Sequence, residues 1–395
     1  MDRSAVIVSG VRTAIGSFGG SLKDIPPTEL AASVAREAIS RSGLSAGEIG
    51  HAVFGNVIHT EPRDAYLARV AAIEAGVADS VPALTLNRLC GSGLQAVVSA
   101  AQMIMLADAD VTLAGGAESM SRAPYATKDV RWGKRMGDAV LTDMLLATLN
   151  DPFGHGHMGI TAENVASDFG IAREEQDRIA LQSQQRASAA ISEGRFKEQI
   201  LPIEVGRRGK SVTFDQDEHV RVETDMDSLA RLRPAFRNDG SVTPGNASGI
   251  NDGAAAIVLM EASEAERRGI TPLGRIVAYG HGGVDPSRMG LGPIPAVRSA
   301  LSRAGLTIGD IDVIESNEAF AAQACAVARE LGFPEERTNP NGGAIALGHP
   351  VGATGAIILV KLLYELQRIG GRYGLATMCI GGGQGIAVIV ERPAH

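Results

Sequence analysis

Aromatic side chains are scarce in this sequence: Phe, Trp and Tyr together make up 4% of 395 residues. A chain so poor in rings lacks the stacking platform that single-stranded nucleic acid needs. Net positive charge is missing as well. The formal charge is −8, which excludes a general polyanion-binding surface. A phosphate-bearing ligand is not excluded, because local charges and backbone N–H groups suffice to hold one. The local basic run Arg207-Arg208-Gly209-Lys210 has acidic residues interleaved around it and reads as a solvated turn.

Cysteine is equally rare. Cys90, Cys325 and Cys379 are three, an odd number, and widely spaced. That is no disulfide framework and fits a reducing compartment, where a single Cys can be a reactive thiol. Neither CxxC nor HExxH spacing occurs, so no metal site is expected. No apolar run is long enough to span a bilayer. The start, MDRSAVIVSG, lacks an apolar signal core and is not Arg-rich, and the end, ERPAH, is not a peroxisomal address. The expectation is a cytoplasmic protein with no membrane contact.

Glycine, in contrast, is abundant at 48 residues. It favours layers of small residues in which backbone comes close to backbone or to a ligand. The length suggests two or three domain-sized units. Short β-type runs alternate with longer helical patterns, the mark of an α/β protein. Strands are expected over 5–9, 51–57, 82–87, 111–115, 254–260, 274–280, 312–316, 374–379 and 386–390. Helices are expected over 27–42, 64–75, 91–106, 138–150, 161–169, 173–193, 262–268, 294–304, 318–331 and 352–369. From about Glu118 to Ala247 the rhythm breaks, as if a loop region were inserted. The flanking parts echo each other faintly. Cys90 follows the strand-ending Asn56 by 34 residues, and His349 follows the strand-ending Asn317 by 32.

Cys90 lies in Asn87-Arg88-Leu89-Cys90-Gly91-Ser92-Gly93, at a turn into a helix. The helix dipole and free N–H groups there favour a thiolate nucleophile. The plainer alternative is a small buried hydrophobe. His349 stands among glycines in GGAIALGHPVGATG, just before a helix, with little side-chain volume to pack on. Cys379 is delivered by an apolar strand to the loop Gly381-Gly382-Gly383, whose N–H groups can face a developing oxyanion. That loop is a poor nucleotide fingerprint, since it precedes a strand. Asn317 supplies an amide at another strand-to-helix junction. Cys325 falls inside an Ala-rich helix and reads as packing.

Together, NRLCGSGLQA, NEAFA, GGAIALGHPVGATG and CIGGGQG resemble the four signature blocks of the thiolase family, in order and spacing. GHMGITAENVA and GNASGINDGAAA match as well, so the resemblance covers essentially the whole chain. It is most similar to the bacterial short-chain β-ketothiolases and acetyl-CoA acetyltransferases, with NRLC where many of the latter have NQLC. The resemblance implies a five-layered αβαβα fold of two βαβαβαββ halves. Residues 1–118 and 250–272 would form the first half, 119–249 a loop domain that covers the site and binds coenzyme A, and 273–395 the second half.

The resemblance further implies a Claisen condensation of acyl-CoA thioesters and its reverse, thiolysis, with coenzyme A as substrate and no cofactor. Cys90 becomes acylated and His349 takes its proton. Cys379 removes the α-proton of the second thioester. His349 and a water held by Asn317 stabilise the enolate, and the N–H groups of Cys90 and Gly381 stabilise the tetrahedral intermediate. Leu149, His157, Arg221, Ser228, Phe236, Ser248 and Phe320 match positions that contact coenzyme A, and Met158 and Met289 positions beside the acyl pocket. A homotetramer, a dimer of dimers paired near 111–115, is expected, with the segment 122–137 resembling the tetramerisation loop.

Three rivals are weighed. A ketoacyl synthase would carry a histidine where Cys379 stands. A non-catalytic acyl-CoA-binding relative would have lost a catalytic residue, and a cysteine hydrolase would not need Cys379. A degradative 3-ketoacyl-CoA thiolase is the alternative within the family.

Overall fold

The computed structural model describes residues 3–207 and 210–393. Arg208 and Gly209, the middle of the basic run, lie outside the described residues. The chain runs through β1 (Ala5–Thr13), α1 (Pro27–Ser42), β2 (His51–Gly55), α2 (Leu67–Glu74), β3 (Ala83–Leu86), α3 (Ser92–Met105) and β4 (Val111–Ser119). An irregular stretch follows, with α4 (Met144–Leu149), α5 (Met158–Phe169), α6 (Arg173–Ser192) and α7 (Met226–Ala230). The sheet resumes with β5 (Asn251–Glu261), α8 (Ala262–Arg267) and β6 (Gly274–Gly283). Then come α9 (Pro293–Ala304), β7 (Val313–Ser316), α10 (Ala321–Leu331), α11 (Ala344–Leu347), α12 (Thr354–Ile369), β8 (Tyr373–Ile380) and β9 (Gln384–Glu391).

The faint echo in sequence is a repeat of topology. In the first half the strands lie in the order β3-β2-β4-β5-β1, with β5 antiparallel to both neighbours. In the second half the order is β7-β8-β9-β6, with β9 antiparallel to both neighbours. The edge strand differs. Where the first half places β3 beside β2, the second keeps a single parallel bridge between Ile314 and Thr338. The two sheets join through β1 and β6, where Val6 faces Arg275 and Ile7 faces Gly274.

Helices α1 and α2 cover one outer face and α9 the other, with α10 packed beside it. Between the sheets α3 and α12 cross, each touching strands of both halves. This is the five-layered αβαβα fold. Ile357, Leu359, Val360, Leu362, Leu363 and Leu366 of α12 are buried, each contributing about 1.5–3 kcal/mol. The crossing is closer than ordinary side chains permit. A Cβ at Gly355 would stand 2.3 Å from the Leu94 amide nitrogen, and one at Gly93 would stand 2.7 Å from that of Ala356. Backbone therefore meets backbone where the two helices begin, and Cys90 and His349 each lie just ahead of one of them.

Helix α1 begins and ends as expected, with Pro27 in its first turn and Gly43 closing it at φ 72°. Elsewhere the boundaries move. The helix expected over 138–150 is only α4, because Asp143 caps it by accepting from the Leu145 and Leu146 N–H groups. Helix α5 starts earlier than expected, at Met158, where His157 Nδ1 accepts from the Gly159 N–H at 3.0 Å. The helix expected from 318 starts at Ala321, since Phe320 is still extended at φ −145°. Helices α7 and α11 and the hairpin Ile203–Arg207 with Lys210–Phe214 were not foreseen. The stretch 111–115 cannot pair two subunits. It lies in β4, which is buried and hydrogen-bonded on both sides. The edge of the first half's sheet is β3, whose Leu84 is 41% exposed.

Candidate active site

Cys90 sits on a strained turn. Leu89, just before it, has φ 46°, a left-handed conformation that costs a non-glycine residue about 1–2 kcal/mol. The turn is held by polar contacts. Asn87 Oδ1 accepts from the Leu89 N–H at 2.8 Å, and Ser92 Oγ accepts from the Arg88 N–H at 2.8 Å while donating to the Leu89 carbonyl at 2.6 Å. The thiol receives N–H bonds from Gly381 and from its own backbone, yet burial outweighs them and pushes its pKa up. The expectation of a resting thiolate is thus corrected. Helix α3 begins two residues beyond Cys90, and desolvation decides, so the resting group is a thiol that needs a base.

The base stands in a loop anchored from every side. The backbone N–H of His349 donates to Asn251 Oδ1 at 2.9 Å, and Asn251 in turn donates to the Gly16 carbonyl at 3.0 Å. Buried carboxylates tie down the rest. Glu318 accepts from Ile345 N–H, Asn339 Nδ2 and Ser183 Oγ, Glu365 accepts from Asn341 Nδ2, and Lys361 bridges Glu315 to the Gly342 carbonyl. Glu118, on β4, accepts from the N–H groups of Val57, Ile58 and Gly352 and from Asn56 Nδ2, so it clasps the two halves together. Burial pushes its pKa up to about 8, against the pull of these N–H groups. Each of its oxygens faces two donors, an arrangement that favours the carboxylate.

Burial lowers the His349 pKa to about 4, from an ordinary value of 6.5. The imidazole is therefore neutral above roughly pH 5 and ready to accept a proton. Activity that needs neutral His349 falls only as pH drops toward 4. Acetylation of Cys90 is expected to lose less than about twofold between pH 7.5 and 5.5, where an unshifted histidine would lose about tenfold. Intact-protein mass spectrometry at short reaction times measures this, and a tenfold loss at pH 5.5 would refute a neutral, buried base.

Cys379 ends β8 with 1% of its surface exposed, in an apolar cluster with Met158, Met289, Ala319 and Phe320. Burial and the nearby Cys90 push its thiol far up. It is a protonated group at rest and a strong base once ionised, not one poised near neutrality. Asn317 is 2% exposed, and neither its amide oxygen nor its nitrogen has a protein partner. His349 Nε2 is likewise unpartnered. Buried polar atoms without partners are where a substrate atom or a water belongs.

These groups surround a cavity of about 520 Å³. Cys90, His349 and Gly381 line it, as do Leu149, His157, Met158, Arg221, Phe236, Ser248, Met289 and Phe320. Phe236 stacks on His157 at 4.7 Å and meets Phe320 edge-on at 6.2 Å. Cys379 and Asn317 are not among the lining residues. Ser228 is not brought to the cavity; its hydroxyl caps the short α7 through Asp225. Sequence reasoning missed Glu118, Asn251 and Thr354, whose partners lie far along the chain or inside a glycine-rich run. It also missed His219, a ring on the cavity wall two residues before Arg221. Among the described residues no cluster of three metal-ligating side chains occurs, and no helix is long and apolar enough to cross a membrane.

What this cavity is built for is thioester chemistry at a cysteine, and its owner is an acyl-transferring enzyme. The chain belongs to the thiolase family: the models for the thiolase N-terminal and C-terminal domains match residues 5–263 and 270–392. It is 63% identical over 394 residues to beta-ketothiolase BktB of Cupriavidus necator, covering 99% of this chain and 100% of that one. It is 51% identical over 397 residues to an acetyl-CoA acetyltransferase of Syntrophomonas wolfei, covering 99% of this chain and 100% of that one. Among solved structures it superimposes on human mitochondrial 3-ketoacyl-CoA thiolase in complex with CoA, with a TM-score of 0.96 at 46% identity over 99% and 98% of the two chains.

Proposed function

We propose that the protein condenses two short acyl-CoA thioesters into a 3-ketoacyl-CoA and free coenzyme A, and runs the reverse thiolysis. The observation that carries this is a pair of thiols, half-buried Cys90 on the cavity wall and buried Cys379 close by, sharing one site with the His349 imidazole. A hydrolase or a simple acyl carrier has no use for the second thiol.

The protons balance. Cys90 gives its proton to His349 and attacks the thioester, with the oxyanion held by the N–H groups of Cys90 and Gly381. The departing coenzyme A thiolate takes the proton of Cys379. The Cys379 thiolate, a strong base in its dry setting, then removes the α-proton of a second thioester. The enolate oxygen is stabilised by protonated His349 and a water on Asn317. Its carbon attacks the acyl group, Cys90 leaves as thiolate, and His349 returns the proton.

The named relatives, an acetyl-CoA acetyltransferase and a beta-ketothiolase, support the condensing direction over a degradative role. Leu149, His157, Arg221, Phe236, Ser248 and Phe320 are proposed to hold the pantetheine arm. No cofactor enters the chemistry. We place the enzyme in the cytoplasm.

Two apolar walls bound the reacting centre. Met158 and Met289 share an apolar cluster with Cys379, while Met120, Val351, Val57 and Ile250 share another with Cys90, and all six line the cavity. Bulky thioethers on both sides shorten the space for an acyl chain. Acetoacetyl-CoA and 3-ketovaleryl-CoA should be cleaved far faster than a ten-carbon substrate; equal kcat/KM on the long chain would contradict it. A homotetramer is proposed, its dimers joined at the edge strand β3 and its second contact made by the exposed Val130, Trp132, Met136, Val140 and Leu141. A monomer at all concentrations by light scattering would overturn that assembly.

A further inference from the structure

His349 must present a bare nitrogen to Cys90, yet a neutral imidazole has two tautomers that bury equally well. The contacts of Thr354, the first residue of α12, choose between them. Thr354 Oγ1 lies 2.7 Å from His349 Nδ1 and 2.9 Å from the Pro350 carbonyl oxygen. Two short contacts call for two hydrogens. If the hydroxyl donates to Pro350, the Nδ1–H of His349 donates to the hydroxyl, and both contacts carry one. If instead the hydroxyl donates to Nδ1, a hydroxyl oxygen and a carbonyl oxygen face each other at 2.9 Å with no hydrogen between them. The first arrangement places a hydrogen in both contacts. It leaves Nε2 deprotonated, and Nε2 is the ring atom without a protein partner.

We propose that Thr354 is the positioning residue that fixes His349 as the Nδ1–H tautomer, with the Nε2 lone pair aimed at the cavity. Thr354 does not line the cavity and acts through the imidazole. When Cys90 ionises, its proton moves to Nε2 and the ring becomes an imidazolium whose Nδ1–H stays on Thr354. When Cys90 leaves at the end of the reaction, the same proton returns, and the hydroxyl has not moved. The Thr354 contact holds the ring in one orientation through both uses. Its backbone N–H is fixed by Asn251, and Pro350 stiffens the chain beside it. One acceptor site therefore serves both half-reactions.

The inference rests on His349 acting as the base of Cys90, so the test separates the two. Histidine nitrogen NMR on the whole enzyme, with His349→Asn to assign the signal, reads the tautomer without any turnover. Wild type should show Nδ1–H with a bare Nε2. Thr354→Val keeps the shape and removes the oxygen. It should shift the population toward Nε2–H and slow acetylation of Cys90 more than about tenfold, with little change in KM for acetyl-CoA. Thr354→Ser should restore both the tautomer and, within about threefold, the rate. A wild-type Nε2–H tautomer overturns the proposal whatever the variants do, including a Thr354→Val protein that fails to fold. So does Thr354→Val with wild-type acetylation, or Thr354→Ser as impaired as Thr354→Val. If the wild-type enzyme took no acetyl group on Cys90, the proposed function would fall instead, with the tautomer still on record.

Discussion

Cys90→Ala is expected to form no covalent acyl-enzyme, while Cys379→Ala still takes one acetyl group per chain from acetyl-CoA. The two thiols are close enough for the charge of one to raise the pKa of the other, yet their surroundings differ. Cys90 faces the cavity with two N–H groups on its sulfur, so a carbonyl attacked there finds donors waiting for its oxygen. Cys379 does not line the cavity and packs among apolar side chains, with its own backbone N–H at its sulfur where Cys90 has two such donors, so a tetrahedral oxyanion would be less well held there. Its removal takes away a proton donor for the leaving thiolate, but coenzyme A is an ordinary thiol and departs without much help. Acylation of Cys379→Ala should therefore be slowed, not lost.

The second half-reaction should fail completely. Without the Cys379 thiolate no base reaches the α-carbon. Exchange of the methyl protons of bound acetyl-CoA with deuterated water should vanish, and condensation should drop by at least about 10³-fold. Intact-protein mass and isotope exchange read the two steps separately. If Cys379→Ala lost acylation while Cys90→Ala kept it, the roles would be exchanged. If neither change affected turnover, the chemistry proposed for this cavity would be wrong.

How much of this was legible in the chain depended on the reach of the interaction. Helix α1 could be read to the residue because Pro27 and Gly43 act locally. The four motif blocks marked the reacting groups because each is short and contiguous. The supports were invisible for the opposite reason. Glu118 meets Gly352 across 234 residues and Asn251 meets His349 across 98, so neither pairing leaves a local pattern. The resting state of Cys90 was misjudged for a related cause. Sequence shows a thiol near a helix start, but not how deeply Ile380 and Met158 close over the turn around Gly91 and Gly381. The early start expected for α10 missed the bridge from Ala247 to Phe320, a tertiary contact that keeps Phe320 extended at the cavity wall.

The crossing of α3 and α12 carries the second large effect. Gly355→Ala introduces one methyl group 2.3 Å from the Leu94 amide nitrogen, and that neighbour is backbone in a buried helix, which cannot swing aside. The helices must part. Overpacking of this kind costs about 1–3 kcal/mol. Function should suffer more than stability, because Cys90 precedes one helix and His349 the other. A separation near 1 Å at the proton-transfer contact costs about a hundredfold in rate. Gly355→Ala should thus remain folded, with a lowered melting temperature, and lose about two orders of magnitude in kcat while KM for acetyl-CoA changes little. Gly47→Ala is the matched control. Its new Cβ would find only Ser45 Oγ, at 4.0 Å, and it lies in a short surface turn far from the cavity, so it should be neutral or slightly stabilising. A folded Gly355→Ala enzyme with wild-type kcat would show that the backbone contact between the two helices does not set the distance between thiol and imidazole.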